Sequence, residues 1–274
     1  MTKHSESLGD QWLCLLDDPA QELPGMLLAI GQDGGTREAW KRVTAQHETM
    51  ILAFPPDVPI RGAAVIQGAP DGEMKAKTVC PLLEGLPNDM TIVEVHPWKN
   101  GVEGAVAARR NEGADPIWFY TPFLFRDRED LTPDVRQTIL LAGLAYGLRR
   151  ALVDELTITH GPNYEQHAAD WLAENPGKTR LDVPQLKVPL AGARMLQGGA
   201  RFCEYQLRAP ITSVETVNFG PETVYILRLI FGLNTENPLE FPLYASARVC
   251  KNYEPLEGDE IDAYIWMQGR LLDI

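Results

Sequence analysis

The sequence predicts an α+β protein: a β-rich central unit, a helical connector and a small C-terminal five-stranded barrel of OB-like type. Three observations predict it. Short strand-like runs separated by turn chemistry fill residues 49–130 and again 200–274. Helical patterning lies mainly between them. The two β regions also echo each other: Asp115-Pro116-Ile117-Trp118-Phe119-Tyr120 reads like Asn237-Pro238-Leu239-Glu240-Phe241-Pro242. Turns at Asn100-Gly101-Val102 and Glu222-Thr223-Val224 precede these runs at equal distances, and Leu131-Thr132-Pro133-Asp134 and Leu256-Glu257-Gly258-Asp259 follow them. An internal repeat of one small β unit is the expectation. The corresponding segments are 1–48 (helical), 49–130 (β-rich), 131–199 (connector) and 200–274 (barrel).

Taken in order, Trp12-Leu13-Cys14-Leu15-Leu16 forms a short apolar helical element, stopped at Asp17-Asp18-Pro19. Thr36 is placed to cap a helix from Arg37 to His47, in which Trp40, Val43 and His47 recur at helical spacing. Strands follow at Thr49–Phe54, Gly62–Gln67 and Ala76–Cys80. Pro55-Pro56, Pro59 and Pro70-Asp71-Gly72 separate them, which suits a meander. Thr91–Val95 and Val102–Ala107 flank Asn100-Gly101, a pair that tolerates the positive φ of tight hairpins. Ile117–Phe125 is a further strand that Pro122 confines to an edge or a bend. The charged run Arg126–Asp130 reads as a solvated loop.

Thr132-Pro133-Asp134 resembles a helix start, and Val135–Leu152 is assigned to a helix ending at Arg149-Arg150. A strand is the competing assignment, because the segment aligns with the alternating run Ile261–Leu271. Gly143 and Gly147 weaken a helix or permit close packing on a sheet. Leu156–Thr159 alternates as a strand. Pro162–Glu174 is helical and ends at Asn175-Pro176-Gly177. Residues 179–199, rich in Pro and Gly, mark the boundary. Cys203–Leu207, Ile211–Val217, Val224–Phe231, Glu240–Ala247 and Glu260–Leu271 then supply the five strands of the barrel.

Composition excludes more than it assigns. The 274 residues carry a net charge of −13, which opposes nucleic-acid phosphates and anionic membrane and favours protein partners or self-association. Residues 201–274 alone hold 6 Lys+Arg against 11 Asp+Glu, a balance of −5. The four cysteines have no CxxC pairing, and Cys80, Cys203 and Cys250 read as buried hydrophobes. The start of the chain lacks a secretory pattern and no apolar run reaches membrane length, so a soluble, cytoplasmic protein is expected.

No motif assigns a reaction. Alternation sets Glu94 and His96 on one face of a strand, and the Asn-Gly turn carries Glu103 toward them. This is an oxygen/nitrogen set short of a firm further ligand; His160 and His167 are distant, and no metal and no cofactor is expected. Tyr264 and Trp266 share a polar strand face and form a candidate stacking platform for a base, a sugar or a peptide. The reading is a non-enzymatic binding or scaffolding protein. The alternatives are an acid/base or metal enzyme using Glu94, His96, His160 or His167, and a single-strand nucleic-acid binder through Tyr264 and Trp266.

Overall fold

The computed structural model describes residues 6–32, 35–44, 47–69, 72–233 and 235–272. Strands take 50% of the described residues and helices 16%, so the structure is mostly β, with a large mixed sheet and few helices. The described residues of Met1–Arg150 and Arg194–Ile274 form one compact unit; Ala151–Ala193 form a second. Among the described residues no helix is long and apolar enough to cross a membrane.

The first unit opens with α1 (Gly9–Leu13), whose Trp12 is buried with Leu15 and Leu16 and donates Nε1 to the Val79 carbonyl at 3.1 Å. Asp18 starts α2 (Pro19–Gln32): its Oδ1 accepts from the amides of Ala20 and Gln21 at 3.1 and 3.3 Å, with proline at the first helical position. The helix expected from Arg37 to His47 is instead strand β1 (Thr36–Thr44). Its long antiparallel pairing with β2 (His47–Phe54) outweighs the local cap signal, and Trp40 lies on an exposed face where it bonds Glu48 at 2.9 Å. The side chains of Val43 and His47 lie outside the described residues. With β3 (Ile60–Gly68) and β4 (Met74–Leu83), these strands form the expected meander in the order β1-β2-β3-β4. The turn at Pro70-Asp71 lies outside the described residues.

Next come β5 (Leu86–Pro97), β6 (Gly104–Arg109) and β7 (Ile117–Thr121), with β5 and β6 paired across Asn100-Gly101. Pro122 ends β7 and the chain turns into α3 (Leu124–Asp127), so the charged run is partly structured and Asp127 is buried. The helix assigned to Val135–Leu152 is a strand, β8 (Arg136–Arg150). Ile139, Leu141, Ala142, Leu144, Ala145 and Leu148 are all buried. A strand covered on both faces reads as a continuous apolar run without alternation, which is why periodicity misassigns it. Gly143 admits close packing: a Cβ there would lie 3.2 Å from Leu243 Cδ1.

The second unit contains β9 (Glu155–Ile158), α4 (Pro162–Glu174) and β10 (Leu186–Pro189), with β9 and β10 paired antiparallel. Helix α4 has the bounds and the N-terminal proline that the sequence predicts.

The chain returns to the first unit with β11 (Met195–Gly198), β12 (Glu204–Pro210), β13 (Ser213–Phe219), β14 (Glu222–Phe231), β15 (Leu239–Ser246), α5 (Ala247–Cys250) and β16 (Glu260–Leu271). All five C-terminal runs are strands, but they do not close into a small OB-like barrel of their own. They belong to one ten-stranded sheet, β11-β12-β16-β7-β6-β5-β8-β15-β14-β13, in which β16 also pairs with β8. Strand β8 is the cause, because its two apolar faces and two edges all require partners. β16 runs antiparallel along one edge, from Ile261↔Arg150 to Leu271↔Ile139. The other edge is shared: β5 takes residues 136–141, and β15 pairs in parallel at Leu243↔Gly143 and Tyr244↔Leu144. β16 is flanked in the same manner. β12 takes residues 260–266, and β7 pairs in parallel at Gln268↔Tyr120.

Candidate functional site

Glu94 and His96 keep alternate positions on β5, whose extra residue, Val93, precedes them. Glu94 is exposed; His96 is half-buried and packs edge-on against Phe202, ring centroids 6.0 Å apart. Across the hairpin these two face Ala107 and Ala105. Glu103 lies just before β6 and is 2% exposed. Its carboxylate accepts from Asn100 Nδ2 at 2.6 Å and from the Tyr120 hydroxyl, and burial pushes its pKa up. Among the described residues no group of three His, Cys, Asp or Glu side chains is arranged to hold a metal. His160 and His167 belong to the second unit, where His160 neighbours Thr159 and His167 Nε2 lies 3.3 Å from the Pro184 carbonyl.

The open stacking platform expected at Tyr264 and Trp266 is not formed. The bulge opposite Tyr264 and Ile265 belongs to β8, where Tyr146 is the extra residue, so the alternation of β16 is unbroken and its neighbours cover both faces. Trp266 is 3% exposed and packs against Tyr120, ring centroids 5.0 Å apart. Tyr264 donates to Glu204, and its hydroxyl is pushed up to about 12 by burial and by that carboxylate. Gln268, two residues beyond Trp266, is buried and bonds the Leu83 amide and the Pro81 carbonyl, each at 2.8 Å. The four cysteines are buried and unbridged; burial pushes Cys14 up to about 12 and Cys250 to about 11 and raises Cys80 and Cys203 as well. Thiols held protonated in this way are poor nucleophiles.

A cleft of about 740 Å³ opens elsewhere in the first unit, a volume suited to a small ligand or part of a peptide. Its apolar floor includes Ile117, Phe231 and Leu239, all buried. Trp118 and Phe202 stack at 4.4 Å with planes 12° apart, and both remain half-exposed in its wall. Tyr205 fixes that wall, because its hydroxyl accepts from the Trp118 amide at 2.6 Å and donates to the Trp118 carbonyl at 3.2 Å. Asn88 holds β15 alike: its side chain donates to the Glu240 carbonyl at 2.7 Å and accepts from the Glu240 amide at 2.9 Å.

Three arginines line the cleft. Arg201 pairs with Asp10 at 2.7 Å and with Glu204 at 3.5 Å. Among the described residues, Arg110 and Arg194 bind only carbonyls. Arg110 Nη1 donates to Asn237 and Phe231 at 3.1 and 3.5 Å, and Arg194 Nη1 to Ile230 at 2.6 Å. Burial lowers the pKa of Arg110.

One rim of the cleft is β11, an edge of the large sheet. The Gly199 amide bonds the Glu204 carbonyl at 2.6 Å. Antiparallel ladders alternate from such a pair, so Gln197 and Met195 face β12, while Leu196 and Gly198 turn their backbone groups outward.

Arg110, Arg194 and Phe202 carry no motif and were not legible beforehand. Trp118 stands inside the Asp115–Tyr120 echo, of which Ile117, Phe119 and Tyr120 are buried in the core. The cleft joins segments distant in sequence, which no local pattern can pair. No protein-family model, curated protein or solved structure matches this chain.

Proposed function

We propose that the chain is a non-enzymatic binding protein, built as a duplicated β scaffold whose cleft receives an extended segment of a protein partner. Matching interactions support the duplication. Trp118 and Glu240 each stand two residues after the proline of the echoed Asp-Pro and Asn-Pro pairs. Each has its amide and carbonyl held by one side chain, from Tyr205 and Asn88. The parallel contacts Tyr120↔Gln268 and Leu243↔Gly143 are related in the same sense. On this reading β5–β8 and β12–β16 are two versions of one unit sharing the β8–β16 pair. Arg110 and Gly232, each six residues before the echoed proline, meet at the cleft: a Cβ on Gly232 would lie 3.0 Å from Arg110 Nη1. The cleft thus occupies the seam between the versions.

The observation that carries the binding reading is the free edge of β11 beside a ligand-sized cleft walled by half-exposed aromatic rings. An extended peptide gains main-chain hydrogen bonds from such an edge and side-chain selectivity from the adjoining pocket. Panning a random peptide library against the native chain tests it. Selected peptides are expected to bind in the micromolar range and to lose at least tenfold in affinity with Leu196→Pro, which deletes an outward amide. Leu196→Ala, which keeps that amide, should lose far less. Peptides that bind both variants equally contradict strand addition at β11.

A further inference from the structure

We propose that Arg110 and Arg194 hold the terminal carboxylate of an extended peptide paired antiparallel with β11, its apolar last side chain resting on Phe231 and Leu239 in the cleft floor. This deepens the cleft-binding reading above and rests on it.

The two guanidiniums belong to a chain of net charge −13. Arg109, the residue beside Arg110, lies 3.6 Å from Asp134, and Arg201 in the same cleft has two carboxylates. Arg110 and Arg194 have none within 4.0 Å among the described residues. A guanidinium carries five donors in a planar fork, so the carbonyl bonds position these two and leave most of their donors available. Those bonds anchor both to consecutive carbonyls of β14, at Ile230 and Phe231. Carbonyls do not neutralise charge, whereas a carboxylate supplies both the charge and the paired acceptors. The acidic groups in the cleft wall do not take this role. Asp115 is exposed, and Glu204 is engaged by Tyr264, Tyr146 and Arg201.

Chain direction selects a terminus. β11 begins at Met195, directly after Arg194, and runs to Gly198. A strand added antiparallel runs the opposite way, so its carboxyl end arrives beside Arg194. Phe231 and Leu239 then offer that last residue an apolar seat, while the Trp118–Phe202 stack at the Gly198 end of β11 meets side chains further back along the peptide.

Two synthetic decapeptide libraries ending in Leu, Ile or Phe test the proposal, one with a free α-carboxyl group and one carboxamidated. Titration of the native chain is expected to give binding of the free-acid library, with the amides roughly tenfold to hundredfold weaker. Arg110→Gln and Arg194→Gln should each lower free-acid binding toward the amide level, so that the ratio of acid to amide affinity falls toward one. If Arg110→Gln fails to fold, Arg194→Gln and Arg110→Lys carry the comparison. Equal binding of acids and amides, with loss only in Leu196→Pro, overturns the carboxylate site while the peptide-binding reading stands. Binding of 3-phenylpropanoate as tight as the best peptides overturns the proposal in favour of a small-acid site. Binding of neither library overturns both.

Discussion

Glu103 is a carboxyl group buried in the core, 2% exposed. It was legible as a polar group near the hairpin turn, but its real partner was not, because Tyr120 reaches it only through the pairing of β6 with β7 at Ala105↔Tyr120. Burial raises its pKa above the ordinary 4.5, against the opposing effect of the Tyr120 and Asn100 hydrogen bonds. The folded chain therefore holds this proton more tightly than the unfolded chain. Its contribution to stability is complete below pH 4.5 and is lost as pH rises through the higher folded value. Glu103→Gln removes the titration, so the melting temperature of the variant should gain on that of the native chain between about pH 4 and pH 8. Thermal melts across that range check this; a constant difference contradicts it. Trp266 makes a second case at this scale. Alternation placed it toward solvent, yet it is core, and Trp266→Ala should cost about 3–5 kcal/mol by denaturant titration.

Among the elements, the strands bounded by proline and glycine turns were readable, and so was α4. Strand β8 was not, because an element buried on both faces has no period to detect. Its identity depends on β16, β5 and β15, which lie far away in sequence. Two side-chain clamps fix the strands that share edges with β5 and β12. Asn88→Ala and Tyr205→Phe each remove a clamp from the main chain of β15 or β7, and each should cost about 1–3 kcal/mol, more than a surface substitution. Gly269 in β16 meets a different constraint: a Cβ there would lie 2.6 Å from Phe119 Cδ2 and 2.9 Å from Leu141 Cδ2. Gly269→Ala should destabilise by roughly 1–3 kcal/mol through overpacking, read from the shift in denaturant midpoint.

Across the whole molecule, the sequence echo pointed to two related β regions but suggested that the second folds apart. The pairing of β16 with β8, and of β15 with β8, ties residues 86–150 and 204–271 into one sheet. Variants retaining only Trp98 or only Trp266 should therefore unfold with coincident midpoints, whereas separate midpoints would restore an independent C-terminal domain. The site was less legible than the fold, since Arg110, Trp118, Arg194 and Phe202 come together only when the distant segments close on the cleft. Hydrogen–deuterium exchange of the native chain, with and without a library-selected peptide at saturation, tests the binding account most directly. Slowed exchange at the Leu196 and Gly198 amides is the predicted result; unchanged exchange along β11 with the peptide bound would contradict it.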